Sequence, residues 1–243
     1  MELNLKLVAA AFLIAGILAA CGNGSASQPT DTTLDIDPVP VMRQAVGQLL
    51  ALESASFSLD HLEGSTILVP GVLMTRIYGE VSIPGRFSVT VEAESEFPKS
   101  YLEINIVTVD DVAYMTDIFT GRWNQISADS LPFNLSGLGQ TLADIVDAVE
   151  SPVAVGEERL RGVDTFHIKG QIASQDLSEL VPGAGEDFPV GLELWLGWEQ
   201  GLLQQVRIIG RVVPTDEADT VRQLSLEDIN RPVEISPPGI PSG

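Results

Sequence analysis

The feature that most constrains this chain is a two-residue alternation of apolar and polar side chains, which begins after Glu53 and continues almost to the C-terminus. A period of two places successive side chains on opposite faces of an extended strand, so the alternation predicts strands with one apolar face. Turn-forming pairs such as Pro84-Gly85 and Gln200-Gly201 interrupt it. Strands joined by short turns favour an antiparallel sheet. We predict strands at Ser54–Glu63, Val72–Ile83, Arg86–Ser95, Lys99–Val109, Asp111–Thr116, Val153–Arg161, Asp164–Ala173, Val190–Trp198, Leu203–Val213 and Thr220–Ile229.

Helical spacing is found in three short segments. Asp37 can cap a helix with Pro38 in its first turn, because apolar residues recur at helical spacing over the next thirteen positions. Two shorter helices are predicted near Gln140–Glu150 and Gln175–Val181. No internal repeat or second linker divides the chain, so we predict one domain over residues 38–238 and a short tail over residues 239–243. The predicted fold class is α+β and mainly β: a strongly curved antiparallel half-barrel with a few helices on its concave side.

The alternation predicts one continuous apolar face across the strands. Glycine within a strand marks a bend, a bulge or a close approach to the backbone. Glycines on the apolar phase therefore predict either a curved sheet with space on its concave side or ordinary bulges. Few helices are available to cover so many strands, so we expect an apolar gap that a lipid-sized ligand would fill. The candidate residues that line this cavity are Leu73, Ile77, Gly79, Val81, Phe87, Val89, Leu102, Ile104, Phe166, Ile168, Gly170, Leu192, Leu194, Val206, Ile208 and Gly210.

One predicted turn region is unusually apolar. Between the first two predicted strands the chain reads LEGSTILVPGVLMT, which contains Ile67, Leu68 and Val69. This segment is interpreted as the lip of the cavity, as an edge that touches a membrane, or as ordinary packing. The sequence leaves all of these readings open.

The single cysteine of the chain, Cys21, follows an apolar run. Residues 7–20 form fourteen apolar or small residues behind Lys6, which is typical of a signal peptide and shorter than the roughly 20 residues that span a bilayer. Leu18-Ala19-Ala20-Cys21 resembles a lipobox, the cleavage and lipidation signal of bacterial lipoproteins. We therefore expect residues 1–20 to be removed and Cys21 to carry a diacylglyceride thioether and palmitate. The alternative is an ordinary secretory signal with an accidental cysteine.

Such an anchor would hold the domain at the extracytoplasmic face of the cell membrane. Residues 22–37 are rich in Gly, Ser, Thr, Asp and Gln, and a flexible linker of this length spans roughly 20 Å. The net charge of −21 is unchanged by removal of residues 1–20, which takes away Glu2 and Lys6. A surface of that charge repels nucleic acid and anionic headgroups, so we expect no nucleic-acid partner.

The sequence gives no sign of catalytic chemistry. It contains no G-x-S-x-G, H-E-x-x-H, P-loop or G-x-G-x-x-G motif, so no catalytic residue, metal ligand or cofactor is assigned and no enzyme is predicted. Asp216, Glu217 and Asp219 are at most a weak cation site, because the EF-hand pattern is absent. The histidines, His61 and His167, are interpreted as surface residues.

Six segments in order resemble the LppX/LprG (LprAFG-type) family of cell-envelope lipoproteins, over about residues 40–238. The most specific of them is DDVAYMTDIFTGRW, with Tyr114, Gly121 and Trp123 at the positions that the family pattern has. The others are LESASFSLDHLEG, IYGEVSIPGRFSV, LRGVDTFHIKG, LELWLGWEQGLLQQVRIIG and LSLEDINRPVEISPP.

The resemblance implies a half-barrel of antiparallel strands over helices that enclose a hydrophobic cavity. It also implies a carrier of acylated lipids or glycolipids across the cell envelope, with an envelope lipid transporter as a further partner. The alternative is an envelope lipoprotein that serves as an interaction or sensor module and has no lipid cargo.

Overall fold

The computed structural model describes residues 36–118, 120–131 and 133–239. The predicted signal peptide, Cys21 and nearly all of the predicted linker lie outside the described residues, as does the tail after Gly239.

A twelve-stranded antiparallel sheet forms the body of the described chain. It is curved and open, in the order β7-β6-β5-β4-β3-β1-β12-β11-β10-β9-β8, with β2 paired to β3. This confirms the predicted fold class of a curved antiparallel sheet with few helices. The strands are β1 Ser54–Glu63, β2 Thr66–Val69, β3 Val72–Ser82, β4 Arg86–Glu96, β5 Lys99–Val109, β6 Val112–Thr116, β7 Trp123–Ser127, β8 Glu150–Leu160, β9 Val163–Ala173, β10 Pro189–Gly197, β11 Leu203–Ile209 and β12 Val221–Glu227.

All ten predicted strands are present, and two short ones, β2 and β7, were not predicted. The prediction that one strand continues to Val213 was wrong, because β11 ends at Ile209. Gly210 then adopts φ +117° and donates its N–H to the carbonyl of Thr220. The Asp216 carboxylate accepts the N–H groups of Val212 and Val213 at 2.9 and 3.0 Å. These hydrogen bonds replace a strand partner, so the chain leaves the sheet.

Two α-helices and two 3-10 turns accompany the sheet. Helix α1, Pro38–Leu50, begins as predicted, because Asp37 Oδ1 accepts the Val39 N–H at 3.0 Å. Helix α2, Leu138–Asp147, lies close to the predicted bounds, whereas the segment near Gln175 forms only a 3-10 turn, Ser174–Leu177. The other 3-10 turn is Ala128–Ser130. Among the described residues, neither helix has the length and hydropathy that a membrane span requires.

The helices pack on each other and on one face of the sheet. A Cβ at Gly139 would overlap the carbonyl oxygen of Leu49, so glycine permits this close approach of α2 to α1. The resulting core joins Leu49 of α1 and Leu142 of α2 to inward side chains of the strands. We call this covered side the inner face and the opposite side the outer face.

Candidate functional site

The inner face is an apolar surface built by alternate residues of the strands. Cross-strand partners share a face in an antiparallel pair, so the register defines its members. Val81 pairs with Phe87, Val89 with Ile106, and Leu194 with Ile168 and Val206. By this criterion the predicted residues on the inner face are Ile77, Gly79, Val81, Phe87, Val89, Leu102, Ile104, Phe166, Ile168, Gly170, Leu192, Leu194, Val206 and Ile208, while Gly210 lies just beyond β11.

Leu73 was predicted on the inner face and lies on the outer one. The register between β3 and β4 shifts between Met74 and Arg76, which makes Thr75 an extra residue. A bulge of one residue reverses the alternation beyond it. Leu73 therefore pairs with Glu94, and Met74 takes the inward place opposite Ala93.

The half of the inner face on β9 to β12 is tightly covered. Leu192, Leu194, Val206 and Ile208 are each at most 2% exposed, and they belong to the same cluster as the buried residues of α1 and α2. Phe166 stacks on Trp198 at a ring distance of 5.5 Å. In this structure the helices are closed over that half of the sheet.

The glycines on this face do not leave space for a ligand. A Cβ at Gly170 would overlap Val149 and lie 3.0 Å from the carbonyl oxygen of Glu150. A Cβ at Gly79 would overlap the carbonyl oxygen of Ser88, on the neighbouring strand. At Gly79 and Gly170 the space that a side chain would occupy is therefore filled by the chain itself, and glycine permits this close approach of neighbouring segments.

The half of the inner face on β3 to β6 is less completely covered. Ile77, Leu102, Ile104 and Met115 remain partly exposed. Leu131, Phe133 and Leu135, which follow the first 3-10 turn, pack against the core from above and are also partly exposed. This half therefore presents apolar side chains that the protein does not fully bury.

A cavity of about 610 Å³ opens at this half, and we call it the mouth. Two aromatic rings, Phe87 and Phe133, lie in its floor at a ring distance of 6.1 Å, together with Thr108. Its rim is polar and lies on the β5–β6 turn, the first 3-10 turn, the start of α2 and the segment after the second 3-10 turn. The polar lining residues are Thr108, Asp110, Asp111, Asp129, Asn134, Ser136, Gln140, Thr141, Ser178 and Glu179.

The opposite end of the inner face is closed by a buried polar cluster. Arg222 and Asp216 form an ion pair there, and each side chain is 1% exposed. Thr66 Oγ accepts hydrogen bonds from Arg222 and lies 2.9 Å from His61 Nε2. Burial, and then the charge of Arg222, lowers the pKa of His61 below its ordinary value of 6.5. This end is sealed by charge and hydrogen bonds, in contrast to the mouth.

Several readings of polar residues are corrected by these contacts. Asp216 holds Arg222 and two backbone amides and is not available to a cation. His167 faces outward as predicted but is 8% exposed, stacked on Trp195 at 4.3 Å and 2.9 Å from Glu158 Oε1. Among the described residues no group of His, Cys, Asp or Glu is arranged to hold a metal ion.

Sequence analysis did not single out the side chains of Arg222 and Thr108, two buried polar residues on the inner face. Arg222 alternates along β12 with Leu224 and Leu226, so the two-residue pattern could have placed it on the inner face. No local sequence pattern identifies Thr108 as a ligand contact or predicts the mouth, because the residues that line the mouth come from distant segments of the chain. The apolar turn region carries Ile67, Leu68 and Val69 at 44, 40 and 56% exposure, so ordinary packing does not account for it.

Comparison with known proteins places this geometry in a family. The LppX_LprAFG lipoprotein family matches residues 37–235, and no curated protein matches the chain. The solved structure of LprF from Mycobacterium bovis is similar at a TM-score of 0.63 and 16% identity, covering 82% of this chain and 95% of that one. The solved structure of LppX from Mycobacterium tuberculosis is similar at a TM-score of 0.56 and 17% identity, covering 83% of this chain and 100% of that one. At these identities the likeness establishes the fold.

Proposed function

Because this chain belongs to the LppX_LprAFG lipoprotein family, we propose that it binds an acylated lipid or glycolipid on its inner face and carries it across the cell envelope. In this proposal Cys21 anchors the protein to the extracytoplasmic face of the cell membrane. The lipid is cargo, held without making or breaking a covalent bond.

The observation that carries the proposal is the uneven covering of the inner face. Leu192 and Ile208, on the covered half of the inner face, are almost completely buried, as is usual for core residues. Ile77, Leu102, Ile104 and Met115 lie on the same face and remain partly exposed. The mouth opens further along the same half of the sheet, at Phe87 on β4 and Thr108 on β5. An acyl chain that covered them would gain about 0.8 kcal/mol for each buried methylene.

A cargo larger than the mouth requires movement of the elements over the sheet. The mouth, at about 610 Å³, lies within the range of 300–1,000 Å³ typical of a drug-sized pocket, which is small for a lipid with several chains. The segment with Leu131, Phe133 and Leu135 packs against the core, where Phe133 lies near Phe87 at the mouth, and it is itself partly exposed. Lipid loading in this account displaces that segment first and α2 with it, while β9 to β12 keep their packing.

Two leucines test the proposal as a matched pair. Leu102 pairs with Ala93 on the inner face, and Leu73 pairs with the adjacent Glu94 on the outer face. Both are partly exposed. We expect Leu102→Gln to lower the amount of lipid that co-purifies with the full chain, and Leu73→Gln to leave it unchanged. Equal lipid content in both variants and the wild type would contradict binding on the inner face, and a wild-type chain without bound lipid would favour the interaction or sensor module instead.

A further inference from the structure

The mouth differs from the rest of the inner face in its charge. Its lining includes the carboxylates of Asp110, Asp111, Asp129 and Glu179, and among the described lining residues there is no lysine, arginine or histidine. The guanidinium of Arg86 lies 3.9 Å from Asp110 at the rim, where it offsets one of the four carboxylates. A ligand group in the mouth therefore meets an excess of negative charge.

The mouth also offers more hydrogen-bond acceptors than donors. An ionised carboxylate only accepts hydrogen bonds, so a ligand group that satisfies these four side chains must donate. The Thr141 hydroxyl already donates to Glu179 Oε2 at 2.9 Å. Asn134 and Gln140 add side-chain amides, which both donate and accept. Hydroxyl groups of a ligand match this set, whereas a phosphate does not.

A buried hydroxyl in the floor points independently to a polar ligand. Thr108 is 2% exposed, pairs with Phe87 on the inner face and lines the mouth. Its Oγ is buried and has no hydrogen-bond partner among the described residues. A buried polar group without a partner costs about 1–3 kcal/mol. A ligand hydroxyl that reached the floor would remove that cost.

Resting on the proposed function, we infer that the mouth is the headgroup site of the bound lipid and selects an uncharged, hydroxyl-bearing headgroup over an anionic one. The acyl chains would lie along Ile77, Ile104 and Met115, and the headgroup would remain at the rim among the carboxylates. An anionic headgroup is disfavoured there, because it would bring like charges together at the acidic rim. The charge of the headgroup would therefore determine which lipids the protein binds.

Two lipids with identical acyl chains test this inference: galactosyl diacylglycerol, which is uncharged, and phosphatidylglycerol, which is anionic. In a native mass spectrometric competition on the full chain, we expect the uncharged lipid to be preferred by about tenfold or more. The double variant Asp129→Asn with Glu179→Gln should reduce that preference by improving phosphatidylglycerol binding. The control double variant Glu94→Gln with Glu96→Gln makes the same change in net charge on β4, remote from the mouth, and should keep the preference.

A variant in the floor separates a headgroup site from a general charge effect. Thr108→Val removes the unpartnered hydroxyl, so it should raise the melting temperature of the lipid-free chain and weaken binding of galactosyl diacylglycerol. A parallel fall in stability and in binding would indicate a packing role and would contradict the headgroup site. Equal binding of both lipids by the wild type would also contradict it while leaving the proposed function intact. Absence of any bound lipid would contradict the proposed function itself.

Discussion

Arg222 Nη2 lies 2.7 Å from Asp216 Oδ1, and both side chains are almost completely removed from solvent at the closed end of the inner face. An ion pair in this position is unusual, because the surrounding strands otherwise present Leu59, Met74 and Leu224 to the core. The ion pair closes the end of the inner face opposite the mouth. The stability of this end therefore depends on both side chains remaining charged.

The Asp216→Ala variant tests this ion pair. Loss of one partner leaves Arg222 charged and buried, and it removes the acceptor for the Val212 and Val213 amides, so we expect a loss of about 3–5 kcal/mol in the free energy of unfolding. Urea denaturation measures it. Arg231→Ala, which breaks the exposed pair of Arg231 with Asp228, is the control and should cost less than about 1 kcal/mol. Similar values for both variants would contradict the assigned burial.

The depressed pKa of His61 predicts a loss of stability in acid. In the unfolded chain the pKa of His61 is about 6.5, and in the folded chain it is lower, so protons bind the unfolded state more readily. The contribution of neutral His61 is full above about pH 6.5 and falls as the pH drops through the folded-state pKa. The free energy of unfolding should decrease more between pH 7 and pH 5 in the wild type than in His61→Gln. Identical pH dependence in both would refute the linkage.

Gly170 provides a test of close packing against the β8 side of the sheet. Gly170→Ala places a methyl group against Val149 and the Glu150 carbonyl, and overpacking of this kind costs about 1–3 kcal/mol. Gly156 in β8 has no atom within 4 Å of a Cβ position, so Gly156→Ala should change stability by less than about 1 kcal/mol. Thermal denaturation distinguishes the two. A tolerated Gly170→Ala would restore the idea that this glycine makes room for a ligand.

The lipid anchor at Cys21 is testable by the mass of the denatured full chain after expression in a bacterial host. We expect the loss of residues 1–20 and the gain of a diacylglyceryl group with a further acyl chain on Cys21. Cys21→Ser should lack the lipid and should no longer associate with membranes in a salt-resistant manner. A mature wild-type chain of unmodified mass would identify an ordinary secretory signal.

The alternation of apolar and polar residues predicted the strands well, because each strand buries one of its two faces and this pattern is present in the strand's own sequence. Strands β1 and β5 have the predicted bounds. The bulge at Thr75 has no local signature, so the phase of Leu73 could not be read. Strand β7 was missed because Trp123–Ser127 is short and lacks a clean alternation.

The candidate site was only partly predictable for a related reason. Sequence alternation identifies which residues share a face, so Ile77, Leu102 and Ile104 were found. It does not show how far the helices cover that face, which depends on packing between distant segments. The mouth combines the β5–β6 turn, α2 and the segment around Glu179, which only the folded chain brings together.

The most direct test of the account is the native mass of the full chain, purified from a lipid-containing host, compared with its denatured mass. Covalent acyl groups remain in the denatured spectrum, so the difference between the two reports non-covalent cargo alone. If the chain carries lipid, we expect an excess of native mass that corresponds to one acylated lipid per chain. A native mass equal to the denatured mass, from a chain with an intact cooperative melt, would contradict lipid carriage.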